Sequence, residues 1–118
     1  MGLKKARQLL KSFADDTRLR IINLLYRSEV NVSEMRKVLG LNQSNISKHL
    51  TRLRLTGIVA DKRNGMNVYY YIKTPHDRTH ERLLNAVTTG LSGLEIFERD
   101  HKKLREIRKK FLKSGGKR

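Results

Sequence analysis

Gln43, Ser44, Asn45, Ser47 and Lys48 lie within six consecutive positions of the stretch LNQSNISKHLTRLRLTGIV, residues 41–59. Side-chain amides donate and accept hydrogen bonds side by side, hydroxyls do both at short reach, and an ammonium only donates. That mixture suits the edges of nucleic-acid bases. Gln43 and Asn45 can pair with adenine through two amide bonds, Ser44 and Ser47 are small adaptable partners, and Lys48 can reach guanine or phosphate. Taken singly, each is as ordinary at a helix surface as at a contact, and a polar first turn is also plain helix capping. Their grouping gives them weight. No nucleophile–base set, phosphate-binding glycine loop or pair of catalytic carboxylates accompanies them, so an enzyme is not expected.

The elements that must hold these side chains are legible in the spacing of apolar residues. Asn42 is a favoured helix cap, and Ile46, Leu50 and Leu53 recur at i, i+4 and i+7 behind it, which predicts a helix ending at Gly57. Before it, Leu3, Ala6, Leu9, Leu10 and Phe13 share one helix face. A second helix starts at Asp15 or Asp16, with Leu19, Ile21, Ile22, Leu25 and Tyr26 as its buried stripe. A third runs from Val32 to Leu39, with Asn31 or Ser33 at its cap, Met35 and Val38 inward and Gly40 as its stop. After the Gln43 helix the texture changes to IVADKR, Asn64-Gly65 and MNVYYYIK, a hairpin pattern turning at Asn-Gly.

The rest of the chain reads as helix. Thr74 is the expected cap, Pro75 the first helical position and Asp77 part of the first turn. Leu83, Leu84, Val87, Leu91, Leu94, Phe97, Leu104, Ile107 and Phe111 then continue a stripe almost to the end. Gly90 and Gly93 interrupt it, and Ser92 with Glu95 has capping-box spacing, which predicts two segments bent or broken near 89–92. The organisation expected is one domain over 1–112 and a basic disordered tail over 113–118.

Composition limits the partners. The 118 residues contain 27 Lys and Arg against 11 Asp and Glu, a net charge of +16, which implies a polyanion. The charge is uneven: residues 36–63 carry +6, residues 64–100 carry −1 and residues 101–118 carry +8. There are no cysteines, which removes disulfides and thiolate metal sites together. No apolar run approaches the roughly 18 residues of a membrane span, and MGLKKARQLL is too short and amphipathic for a signal peptide, so a cytoplasmic location is expected.

FADDTRLRIINLL, then LGLNQSNISKHLTRLRLTGIV, then a hairpin closing on VYYYI resembles the ArsR/SmtB-type winged helix-turn-helix regulators, over roughly residues 10–74. The resemblance implies a mostly α fold (α+β) of five or six helices with a two-stranded hairpin wing. It also implies a dimer built through the first and last helices and sequence-specific binding of double-stranded DNA. It puts Gln43, Ser44, Ser47 and His49 at positions facing DNA, to which geometry adds Asn45 and Lys48. Arg52, Arg54 and Arg36 or Lys37 would lie near the phosphate backbone, with Arg63, Asn64 and Asn67 on the wing. The expected role is a repressor at an inverted-repeat operator; the alternative is a basic architectural or RNA-binding protein without strong sequence preference.

Many members of that family sense metals, and neither familiar site carries over. Asn31 and Ser33 stand where one would need thiolates. Thr74, His76, Val87 and Gly90 stand at the positions of the other, and only His76 is a ligand type. His76 and His80 remain as an i, i+4 pair able to hold zinc or nickel, with Asp77 and Glu81 close and Glu98, Asp100 and His101 available from a partner chain. Most such pairs at a charged helix start are surface residues, so no metal and no cofactor are expected.

Overall fold

A computed structural model of the chain describes residues 1–116. The described residues form six α-helices and a small sheet: α1 (Leu3–Phe13), α2 (Asp16–Arg27), β1 (Val30–Asn31), α3 (Val32–Leu39), α4 (Gln43–Leu55), β2 (Val59–Asn64), β3 (Asn67–Ile72), α5 (Arg78–Val87) and α6 (Glu95–Lys113). A short 3-10 turn, Thr89–Leu91, separates the last two helices, at the predicted break.

Caps set most of the helix starts. The Asp15 carboxylate accepts the Arg18 N–H at 3.0 Å to open α2. Asn31 opens α3 through a reciprocal box, its Oδ1 accepting from the Glu34 N–H at 2.8 Å while its own N–H donates to Glu34 Oε1 at 3.1 Å. Gly40 closes α3 at φ 69°, a conformation that other residues adopt only with strain.

The core is aliphatic. Leu9, Phe13, Ile21, Ile22, Leu24, Leu25, Met35, Val38, Ile46, Leu50, Leu53 and Ile58 pack into one cluster, which Leu84 and Leu104 join from α5 and α6. Each such side chain contributes about 1.5–3 kcal/mol by leaving water. Tyr26, expected in this stripe, is 49% exposed. It sits one residue past Leu25 and so rotates off the face, its hydroxyl 3.4 Å from Thr89 Oγ1.

The structure corrects other boundaries. The sheet has three strands in the order β1-β3-β2, because Val30 and Asn31 pair antiparallel with Tyr70 and Tyr69. In the hairpin Asn64 pairs with Asn67, so the two-residue loop is Gly65-Met66 and not Asn64-Gly65. Gly65 alone takes positive φ there, 65°, the pattern of a type II′ turn. Helix α5 begins three residues later than Pro75 suggests, because Asp77 is its cap and accepts the His80 N–H at 2.9 Å. Helix α6 is preceded by Leu94, without a side-chain cap, and Ser92 plays no part in it. Its far end closes on Gly115 (φ 78°), with Gly116 N–H bonded to Phe111 C=O and Gly115 N–H to Leu112 C=O. The expected tail over 113–118 therefore starts as an ordered helix end, and residues 117 and 118 lie outside the described residues.

Helix α6 lies along α2 and α3 of its own chain. Asp100 receives two bonds from Arg20, at 2.7 and 2.9 Å, and Glu98 pairs with Arg27. Arg108 Nε donates to Glu34 Oε2 at 2.8 Å and Nη2 to the Glu29 carbonyl at 2.7 Å. One carboxylate, Glu34, thus caps α3 and holds α6.

Candidate nucleic-acid interface

Helix α4 divides its residues cleanly. Asn42 Oδ1 accepts the Asn45 N–H at 2.9 Å, which fixes the first turn. Ile46, Leu50 and Leu53 are 0, 2 and 0% exposed and press the helix onto α2, α3 and β2. Gln43, Ser44, Asn45, Ser47, Lys48 and Arg52 are left exposed. Gln43, Ser44, Ser47, Lys48 and Arg52 line one broad, open surface together with His49 and Arg18. Asn45 is exposed but does not line it.

His49 differs from its neighbours. It is half-buried, its Nδ1 lying 3.3 Å from Arg18 Nη1 and 3.7 Å from Asp15 Oδ2. With Nδ1 as acceptor, His49 takes a hydrogen bond from Arg18, so the ring ties α4 to the start of α2. Arg18 completes the tie, donating from Nε to the Ser12 carbonyl at 2.7 Å and from Nη2 to the Lys11 carbonyl at 3.1 Å. It therefore satisfies carbonyls at the end of α1 while bracing α4. Sequence reasoning missed Arg18. Its only signal is a position three residues after the Asp15 cap, which reads as an ordinary first-turn arginine.

The wing residues are placed less uniformly. Arg63, Asn64, Gly65 and Met66 are exposed. Alternation along β2 sends Arg63 and Asn64 to opposite faces. Asn64 lines a hollow with Glu29, Tyr69 and Arg108, and Asn67 lines a cleft with Lys37, Arg108 and Phe111, so both asparagines face α6. The structure does not bring them to the α4 surface. At the wing's base, Lys62 pairs with Glu29 at 2.8 Å, which raises its pKa above the ordinary value. Burial pushes the Tyr70 phenol up, so it stays neutral at working pH.

Among the expected backbone cations, Arg36 and Lys37 are exposed on α3. Arg54 is already engaged, its Nε 3.2 Å from Asp61 Oδ1. It lines a separate cleft with Lys4, Lys5, Gln8, Lys73 and His76, away from the α4 surface.

The histidine pair does not share one helix, as its i, i+4 spacing suggested. His76 precedes the Asp77 cap and so lies outside α5, and its ring lies beside Gly57, close to where a Cβ there would stand. His80 is 0% exposed, with neither ring nitrogen bonded to a described residue, and the two ring centroids are 6.5 Å apart. Burial holds the His80 pKa below its ordinary value, with Asp77 opposing and His76 and Lys5 adding to the shift. Asp100 and Glu98 are committed to Arg20 and Arg27, and His101 is buried against α2. Among the described residues no group of three His, Asp or Glu side chains has metal-binding geometry.

Comparison with known proteins agrees with this architecture. Residues 15–61, from the α2 cap through α4 into β2, match the family described as bacterial regulatory protein, arsR family. The transcriptional repressor PagR of Bacillus anthracis is 35% identical over 88 residues, 74% of this chain and 88% of PagR. The arsenic resistance transcriptional regulator ArsR1 of Pseudomonas putida is 46% identical over 87 residues, 73% of this chain but 62% of its own length. The solution structure of a homodimeric winged helix-turn-helix DNA-binding domain from Mycobacterium bovis superposes with a TM-score of 0.63 at 28% identity, covering 76% of this chain and 81% of that one. No helix among the described residues is long and apolar enough to cross a membrane. With its capped and anchored α4, its hairpin wing and these likenesses, the chain belongs to the arsR family of bacterial regulatory proteins and is a winged helix-turn-helix regulator.

Proposed function

We propose that the protein is a homodimeric repressor that sets α4 of each subunit into the major groove of an inverted-repeat operator and occludes a promoter until a signal releases it. The observation that carries this reading is the shared open surface of Gln43, Ser44, Ser47, Lys48 and Arg52, on a helix capped by Asn42 and anchored by three buried aliphatic residues. Gln43, Ser44 and Ser47 read base edges, Asn45 contributes at the rim, and Lys48 and Arg52 reach guanine or phosphate. His49 faces the groove from its brace with Arg18. Arg63, Asn64 and Asn67 act at the wing.

The dimer is proposed through the first and last helical elements. The far stripe of α6 is not the basis for this, because Phe97, Leu104 and Ile107 are used within the subunit. Leu3 at 82% and Leu10 at 53% exposure on α1, with Leu94 and Ile96 at the start of α6 and Phe111 and Leu112 near its end, are exposed apolar residues on those elements. A two-fold arrangement of that kind spaces two recognition helices about one DNA turn apart. PagR, a repressor, and the homodimeric Mycobacterium bovis domain support the reading.

The test is selection of bound sequences from random duplexes. A palindromic motif is expected, and Gln43→Ala or Ser47→Ala should cost about 1–3 kcal/mol on it while relaxing preference at particular base pairs. Full discrimination by both variants would remove the assignment of the reading face. A second reading, a basic architectural or RNA-binding protein, is favoured by the +8 of residues 101–118. It requires affinity indifferent to sequence and lost uniformly with salt.

A further inference from the structure

Helix α6 carries cations that neither the core nor the ion pairs use. Lys102, Lys103, Arg105, Lys109, Lys110 and Lys113 are exposed, and their side chains make no hydrogen bond or ion pair with another described residue. The helix lies outside the stretch that matches the family, 15–61. Its placement is fixed at both ends. Asp100 on Arg20 and Glu98 on Arg27 hold the first half to α2, and Arg108 on Glu34 holds the second half to α3.

That placement brings the end of α6 beside the wing tip. Phe111 and Arg108 share a cleft with Lys37 of α3 and Asn67 of β3, and Arg108 shares another hollow with Asn64. Asn64 and Asn67 flank the Gly65-Met66 loop. Lys109, Lys110 and Lys113 project from the same two turns, on the outer side. Cations in a last turn favour the helix dipole. Lys109 and Lys113, however, are like charges at i, i+4, which repel in the free protein. Apart from the Glu106 carboxylate and the apolar Leu112, the face offers donors, without the amides and hydroxyls of α4. A lysine ammonium is a hydrated point charge suited to phosphate rather than to paired recognition of a base.

We propose that Lys109, Lys110 and Lys113 bind phosphates of the duplex flanking each half-site, beyond the wing tip, so that α6 lengthens the bound DNA without reading sequence. This rests on the assignment of α4 and the wing to DNA. Three charges added at the outer edge of each subunit strengthen binding through counterion release and leave base preference untouched.

The experiment uses the full chain, the triple variant K109Q/K110Q/K113Q and the charge-retaining K109R/K110R/K113R. Each is titrated with salt on the selected operator, once with long flanks and once trimmed to the inverted repeat. On the long duplex the Gln variant should bind about tenfold more weakly at low salt, and its log–log salt slope should be shallower by about 0.9 for each phosphate that the variant leaves unneutralised. The Arg variant should keep the wild-type slope, selected motifs should be unchanged, and trimming the flanks should erase the difference. Equal slopes for the Gln variant and wild type on the long duplex would overturn the role of α6 alone, as would a difference that survives trimming. Absence of any selected motif for the wild type would instead overturn the assignment of α4.

Discussion

Helices α4 and α6 both present basic faces to solvent, yet they are held and equipped in opposite ways. Behind α4 stand Ile46, Leu50 and Leu53, and its outward face mixes amide, hydroxyl and cationic groups. Behind α6, Phe97 and Leu104 are joined by Asp100, His101 and Arg108, and its outward face is mostly lysine and arginine. Reading bases needs donors and acceptors within an ångström of a set position, which a rigid aliphatic anchor supplies. Attracting phosphates tolerates looser placement, because the force is long-ranged and undirected. The difference in anchoring therefore matches the difference between the two proposed tasks.

The comparison breaks first at the anchors. Leu53→Ala should cost about 2–5 kcal/mol in urea unfolding, since a fully buried leucine leaves a cavity that α2, α3 and β2 can close only in part. Operator binding should fall with it. A cost under about 1 kcal/mol would show that α4 is held by something other than its apolar face.

The α6 side should respond to loss of a charge. Asp100 is buried, while the side chain of Arg20 is 25% exposed. Asp100→Ala leaves that guanidinium without its two charge-assisted bonds but within reach of water, so about 1–2 kcal/mol is expected, below the cost of stripping a fully buried ion. A double-mutant cycle with Arg20→Ala measures the coupling directly. Additive costs would mean that this pair does not hold α6, and the contrast would then rest on Arg27–Glu98 and Arg108–Glu34 alone.

The same contrast explains what could be read from the chain without its fold. Helix α4 was legible to its cap because Asn42, the i, i+4, i+7 repeat and the free face are all local signals. The break between α5 and α6 was legible from Gly90 and Gly93. Strand β1 was not, because two residues cannot display alternation; only Tyr69 and Tyr70 across the sheet define it. The α5 start was misjudged because Pro75 favours a first helical position, whereas the Asp77 carboxylate supplies the actual cap bond. Ion pairs such as Arg20–Asp100 and Glu34–Arg108 link residues far apart in the chain and leave no periodic trace. Arg18 was missed for the same reason: its partners His49 and Ser12 meet only once α1, α2 and α4 are packed.

The smallest expected effect concerns protons. The aliphatic α4 anchors Ile46, Leu50 and Leu53 do not titrate, but His101 packs α6 against α2, and its pKa is held below the ordinary 6.5 chiefly by burial, then by Arg27. Glu98 and a hydrogen bond to the Asn23 backbone oppose the shift, and Arg105 adds to it. The folded chain thus binds this proton more weakly than the unfolded chain. The stability tied to neutral His101 is complete above about pH 6.5 and is lost as pH falls through the lower folded value. Acidification should therefore loosen α6 before α4, with amides of α6 losing hydrogen-exchange protection first between about pH 7.5 and pH 5.5. His80 in α5 shifts in the same direction, so the global urea midpoint falls for both reasons. His101→Gln keeps a donor for the Asn23 backbone and cannot titrate, so it should remove the α6 part of the pH response and leave the His80 part. If α4 and α6 lost protection together at every pH, or His101→Gln left the α6 response intact, the two helices would not be separately anchored.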